Sequence, residues 1–255
     1  MRARVWTPPR LSGRVWLAAG VAIVVVGLSH LIDRAAWHAL YDDDIERHDW
    51  YQMLRAMGYM PVWLVVGAAM LGVGWTRRVS KRPGSSEGGR SRGGWWRGGV
   101  GVAGSAVAAG VAAEGLKLLV GRERPAVIGE AGREFQGFVF KAWDPSAGSF
   151  GGLTDSGNLG FPSSHTAVAV AGAVAVARVC PGAFWPLVLT AGGCGLTRLV
   201  HGAHFLSDVL AGAALGYALA WLVVRPADLA GCGAEAVEAT VEPTGEPASE
   251  GASSG

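Results

Sequence analysis

Three short clusters in this chain hold residue types that do phosphate chemistry. The first runs from Lys117 to Arg124 and Pro125, the second is Pro162-Ser163-Ser164-His165, and the third runs from Thr197 and Arg198 through His204 to Asp208. Lys117, Arg124 and Arg198 are fixed positive charges, and an arginine fork matches the oxygens of a phosphate. Ser163 and Ser164 precede an apolar run and are natural helix N-caps. The free N–H groups of such a helix start, with its dipole, attract an anion. His204 and Asp208 stand four residues apart, which predicts a shared face at the start of a helix. A carboxylate there would orient the imidazole and raise the basicity of its other nitrogen. His165 adds a second acid–base group. The set lacks the carboxylate cluster that a magnesium site would need, so neither a metal nor a cofactor is implied. The chemistry it predicts is phosphoryl transfer through a covalent phosphohistidine. His204 attacks and Asp208 holds its tautomer. Lys117, Arg124, Arg198 and the Ser163/Ser164 backbone stabilise the equatorial oxygens. His165 protonates the departing oxygen, a contribution of about 10²–10⁴-fold.

Something must bring these clusters together across about 90 residues of chain, and the composition says what. Half of the 255 residues are hydrophobic and only 16% are charged, against about 25% in a soluble domain. Mean hydropathy is +0.30 although the ends and two internal loops are polar. That excludes a disordered chain, a disulfide scaffold and a typical soluble enzyme. Six apolar segments approach the length of a membrane span: Val15 to Ile32, Met57 to Trp75, Gly99 to Val120, Thr166 to Cys180, Phe184 to Leu196 and Phe205 to Val224. The expected fold is all-α, an integral membrane bundle of six transmembrane helices. Gly and Ala are frequent in the third, fourth and sixth segments, which places those in the bundle centre.

The basic residues set the orientation. The N-terminal arm carries Arg2, Arg4, Arg10 and Arg14. The second loop, rich in Gly and Ser, carries seven more from Arg77 to Arg97, whereas the first loop is acidic from Asp42 to Asp49. The positive-inside rule then puts both termini in the cytoplasm and all three clusters on the outer, or periplasmic, face of a cell (inner) membrane. No small-x-small cleavage site follows the first segment, so it reads as a retained anchor and not a signal peptide. Three regions result: a basic arm over 1–14, a membrane domain over 15–225, and a tail over 226–255 too polar to bury a core. A net charge of +2 with no concentrated basic face does not suggest nucleic-acid binding. Cys180, Cys194 and Cys232 have no metal or disulfide spacing and read as small apolar residues.

Other polar residues have plainer readings. His201 is expected to pack or hydrogen-bond, Glu114 to neutralise or orient Lys117 three residues on, and His30, His38 and His48 to be interfacial or loop residues. Arg122 and Glu123 fall in a spacer and receive no direct contact. The stretch from Ala126 to Phe161, rich in Gly and aromatics, is either an entrance lid or a cover packed over the bundle.

Together the clusters closely resemble the three-part signature of the type 2 phosphatidic-acid phosphatase superfamily, K-x6-R-P, P-S-G-H and S-R-x5-H-x3-D. Lys117, Arg124 and Pro125 match the first part. Pro162, Ser163 and His165 match the second, with Ser164 in place of glycine. Arg198, His204 and Asp208 match the third, with Thr197 in place of serine. The resemblance covers about Lys117 to Gly216 and implies the family's integral-membrane branch. The implied activity is a phosphatase acting on a lipid phosphate or diphosphate, such as phosphatidic acid, phosphatidylglycerol phosphate, undecaprenyl diphosphate or a lipid A phosphate. The family's site roles fall on the residues assigned above. A lipid phosphotransferase would present the same site. The soluble haloperoxidases share the cradle around vanadate, and six spans argue against them. A non-catalytic lipid-phosphate binder or transporter would not need His204, Asp208 and His165 together.

Overall fold

The computed structural model describes residues 13–79, 94–129, 132–140 and 158–224. Most of the basic arm, most of the basic second loop, the tail, Trp143 and Phe150 lie outside them. All six apolar segments are helical. The first is α1 (Gly13–Ser29), which breaks and turns by 67° into the short α2 (Asp33–Leu40). The acidic first loop is itself partly helical: α3 (Asp49–Ala56) leads through Gly58 into α4 (Met60–Val79), bent by 63°. Then follow α5 (Gly94–Val120), α6 (Ser164–Val179), α7 (Phe184–Val200) and α8 (Leu206–Val223). Between α5 and α6 a two-stranded hairpin pairs β1 (Ala126–Gly129) with β2 (Gly132–Phe135), Ala126 opposite Phe135.

By length and composition, three helical stretches can cross a membrane: Trp95–Val120, Pro181–Val200 and Leu206–Val223. Each bent pair counts as one more if it forms a single span, giving up to five. The fourth apolar segment, α6, has only 16 residues, about 24 Å at 1.5 Å per residue, which is short for a bilayer core of about 30 Å. It is instead the central post, packed against α5, α7 and α8. Large apolar residues such as Leu17, Ile23, Val65, Leu119, Leu189 and Leu222 are exposed around the outside, the surface a helical bundle presents to lipid and not to water.

Small residues let α6 sit that close. A side chain on Gly212 would meet the Ser163 carbonyl oxygen at 2.4 Å, and one on Gly216 the Ala167 oxygen at 2.3 Å. Helices α6 and α8 therefore touch backbone to backbone. On another side of α6, the Trp63 ring lies where a Gly172 side chain would be, and its Nε1–H donates to the Met57 carbonyl at 2.7 Å. These contacts fix the N-terminal ends of α6 and α8 beside each other, and the site lies there.

Candidate active site

Helix α5 ends with Gly121 in the left-handed region at φ 63°, its N–H bonded to the Lys117 carbonyl at 2.7 Å. Glycine takes that conformation without steric cost. The turn releases Arg122 to Arg124 from the helix while Lys117 stays in its last turn. Lys117 is buried. Its ammonium donates to Glu114 Oε1 at 2.8 Å and to Ser164 Oγ at 3.0 Å. The orienting role expected of Glu114 is present, and the second contact joins the first cluster to the second across 47 residues.

The start of α6 is capped as expected. Ser163 is the N-cap, its hydroxyl oxygen accepting from the Thr166 N–H at 3.5 Å and from the Thr166 hydroxyl at 3.0 Å. Ser164 is the first helical residue. The Ser163 N–H donates to the Asp208 carbonyl at 3.0 Å, which ties the second cluster to the third.

His204 and Asp208 do not share one helix face, contrary to the spacing argument. Helix α8 starts at Leu206 with Phe205 as N-cap, so His204 lies in the preceding turn. Asp208 is the third residue of the helix, and its Oδ2 accepts the Phe205 N–H at 2.8 Å. That capping contact folds the turn back and leaves His204 Nδ1 3.6 Å from the same oxygen. This is ion-pair range but longer than a good hydrogen bond. The pairing expected of the two residues is kept by a cap and not by helical periodicity.

Arg198, in the last turn of α7, is only 3% exposed, and two of its guanidinium nitrogens, Nε and Nη1, have no hydrogen-bond partner among the described residues. The buried Nε2 of His165 has none either. Buried polar groups are seldom left so, and a donor set open on one side is a place for an anion. Charges from Lys117, Arg124, Arg198 and Arg55 all act on His165, and those of Arg198, Arg124 and Lys117 on His204. Burial, followed by those three cations and His165, pushes the His204 imidazole well below the ordinary histidine value. It is therefore neutral at pH 7, the form in which a nitrogen lone pair is available. Arg124 is half-buried, held by its own backbone: its N–H donates to the Asn158 carbonyl at 3.0 Å and its carbonyl accepts from Gln136 at 2.7 Å.

The eight candidate site residues, Lys117, Arg124, Ser163, Ser164, His165, Arg198, His204 and Asp208, thus lie at one end of the bundle, and the structure adds others. Arg55 of α3 lies near enough for its charge to act on His165 and Arg198, its guanidinium 5.9 Å from the rings of both Tyr51 and Tyr59. Arg122 is fully buried against Asp208 and Asp33, which corrects the expectation that this spacer residue makes no direct contact. No local pattern announces either one, because their partners come from distant parts of the chain. His201 does hydrogen-bond, through Nε2 to Glu46, and stacks on Tyr51. His30 is more than an interfacial residue: its Nε2 is 3.3 Å from Arg122 Nη1. Of the long loop, Phe135 packs on Trp37 and Phe138 stacks on Phe205 at 4.7 Å, so its described part is packed cover.

Comparison with curated proteins and with solved structures finds no match. Residues 98–229 match the family model described as the PAP2 superfamily. That stretch is more than half of the chain and contains all three clusters, so the chain belongs to the PAP2 superfamily, a family of phosphatases.

Proposed function

We propose that this protein hydrolyses a lipid phosphate or diphosphate at the extracytoplasmic face of the cell membrane, without a metal, through a phosphohistidine intermediate. Six helical segments with cytoplasmic termini would carry the site, and the bilayer would hold the lipid tail while the head group enters. The observation that carries this reading is the buried Arg198 guanidinium with open nitrogens, whose charge acts on both His165, with its open Nε2, and the neutral His204.

A phosphate placed there receives donors from Arg198, Arg124 and Lys117 and from the N–H groups at the start of α6. Preorganised charge of this kind stabilises the equatorial oxygens as they gain charge in the transition state. The neutral His204 Nε2 attacks phosphorus in line, a nitrogen–phosphorus bond forms, and the ester bond of a monophosphate or the anhydride bond of a diphosphate breaks. The positive charge arising on the ring is met by Asp208. The bound phosphate brings negative charge, which favours a protonated His165, and that proton goes to the departing oxygen. In the second half, His165 takes a proton from water, the water oxygen attacks phosphorus, and the nitrogen–phosphorus bond breaks. His204 is returned and inorganic phosphate leaves.

The test is phosphate release by purified protein from a panel of lipid phosphates and diphosphates in EDTA. Release is expected in the wild type and absent in His204→Ala. Undiminished release by that variant refutes the nucleophile assignment, and absence of release from every substrate by the wild type refutes the reading as a whole.

A further inference from the structure

Behind the nucleophile lies a buried charge network that the catalytic scheme does not use. Arg122 is 1% exposed and lies against the stacked pair Phe138 and Phe205, with ring centroids 4.8 and 4.2 Å from its guanidinium carbon. Its Nη1 is 3.1 Å from Asp208 Oδ1 and donates to Ser207 Oγ at 2.8 Å. Its Nη2 is 3.1 Å from Asp33 Oδ2. Asp33, the first residue of α2, is fully buried. Its Oδ2 accepts the Ser207 hydroxyl at 2.5 Å and its Oδ1 the Ser207 N–H at 2.8 Å. The α1–α2 break thus delivers a carboxylate to the start of α8. Asp33 lies outside residues 98–229, so this part of the site is supplied by chain beyond the family match.

The formal charges decide what the network does. Arg122 alone would neutralise Asp208 and take its field away from His204. Asp33 gives the guanidinium a second carboxylate. Two acids share one cation, so one net negative charge remains in a region that excludes water. Arg122 meanwhile ion-pairs with Asp208 Oδ1, without a good hydrogen bond, while Oδ2 meets the Phe205 N–H and His204. His204 acquires a positive charge as its Nε2 bonds to phosphorus, and the negative charge of the network favours it. We propose that Asp33 and Arg122 are positioning residues for the nucleophile: Arg122 sets the rotation of Asp208, and Asp33 offsets Arg122 so that Asp208 keeps its charge for His204.

This rests on the reading of His204 as nucleophile, which His204→Ala tests separately. The groups facing His204 are Asp208 from α8, Arg198 from α7, His165 from α6, and Lys117 and Arg124 at the end of α5. None of them changes in the variants that follow. Asp33→Asn removes one negative charge and Arg122→Gln one positive charge. Each is expected to lower kcat by about 10–100-fold, by analogy with loss of the outer partners that orient metal-bound histidines, while competitive inhibition by inorganic phosphate stays within threefold. The diagnostic readout is the acid limb of kcat/KM against pH. It moves to lower pH in Asp33→Asn, where His204 feels less negative charge, and to higher pH in Arg122→Gln. The double variant has the original net charge and brings the limb back.

A purely structural role would lower activity without shifts of opposite sign. Shifts in one direction, no shift, or a wild-type kcat in either variant therefore overturns the inference, even with His204→Ala inactive. If a single variant loses phosphate binding through misfolding, the double variant decides. Recovery of binding and of the limb supports the pairing, and failure to recover overturns it.

Discussion

Replacing Arg198 by methionine separates binding function from stability at one residue. The side chain is 3% exposed, and two of its nitrogens have no partner among the described residues. When phosphate is bound, those two nitrogens supply two hydrogen bonds between charged groups, each worth about 1.5–3 kcal/mol. Losing both costs about 3–6 kcal/mol of transition-state stabilisation, or about 10²–10⁴-fold in kcat/KM at about 1.4 kcal/mol per factor of ten. In the empty protein the sign reverses, because a buried cation with open donors is a net expense that an apolar side chain of similar volume removes. A gain of about 1 kcal/mol would raise the melting midpoint by about 2–4 °C for a chain of this size. The assay is phosphate release together with thermal melting in detergent, with and without inorganic phosphate. Phosphate should raise the midpoint of the wild type through mass action and leave Arg198→Met unmoved. Retention of more than about a tenth of wild-type kcat/KM by the variant, or equal stabilisation of both proteins by phosphate, would refute the reasoning.

Three more expectations follow from the geometry. Because the His204 ring is held well below the ordinary histidine value, it stays neutral as pH falls through about 6.5. Its kcat/KM, corrected for the second ionisation of the substrate phosphate near about pH 6, should therefore keep its acid limb below that value, and a limb at or above it contradicts the burial argument. Gly212→Ala would place a methyl 2.4 Å from the Ser163 oxygen. Overpacking costs about 1–3 kcal/mol, which outweighs the gain of about 1 kcal/mol from helix propensity. Melting should show a net loss, and activity should drop further because the α6 cap shifts away from Asp208. Arg55→Gln removes a charge that acts on His165, the leaving-group acid of the proposed mechanism, and should raise KM about tenfold for a lipid diphosphate, whose departing group is itself anionic, and less for a monophosphate. Equal changes for both would show that Arg55 does not distinguish them.

The three motifs were legible in the sequence because each is written within a dozen residues, and a helix end is a local event with a local signature. Ser163 shows this well: a hydroxyl before an apolar run becomes an N-cap in the structure. The apolar segments were legible for the same reason, since hydropathy is additive along the chain. What local reading could not supply is partnership across the bundle. Asp33, just past the first apolar segment, carried no signal of its own, yet it reaches Arg122 and Ser207 because α1 breaks before it. The spacing of His204 and Asp208 suggested one helical face, whereas the Asp208 carboxylate caps its own helix and the histidine is left in the turn. In both cases a backbone N–H needing an acceptor decided the local shape, and that demand depends on where the helix starts.

The direct contact of α6 with α8 at Gly212 and Gly216 has one more consequence. Two elements that meet main chain to main chain have no rotamers between them, so the gap they define cannot widen or narrow by side-chain rearrangement. For the phosphate proposed to bind there, this jaw is a gauge of one fixed width. Under the proposed function, discrimination among lipids with one head group would fall to parts of the chain farther out, where adjustable side chains and not apposed glycines set the fit.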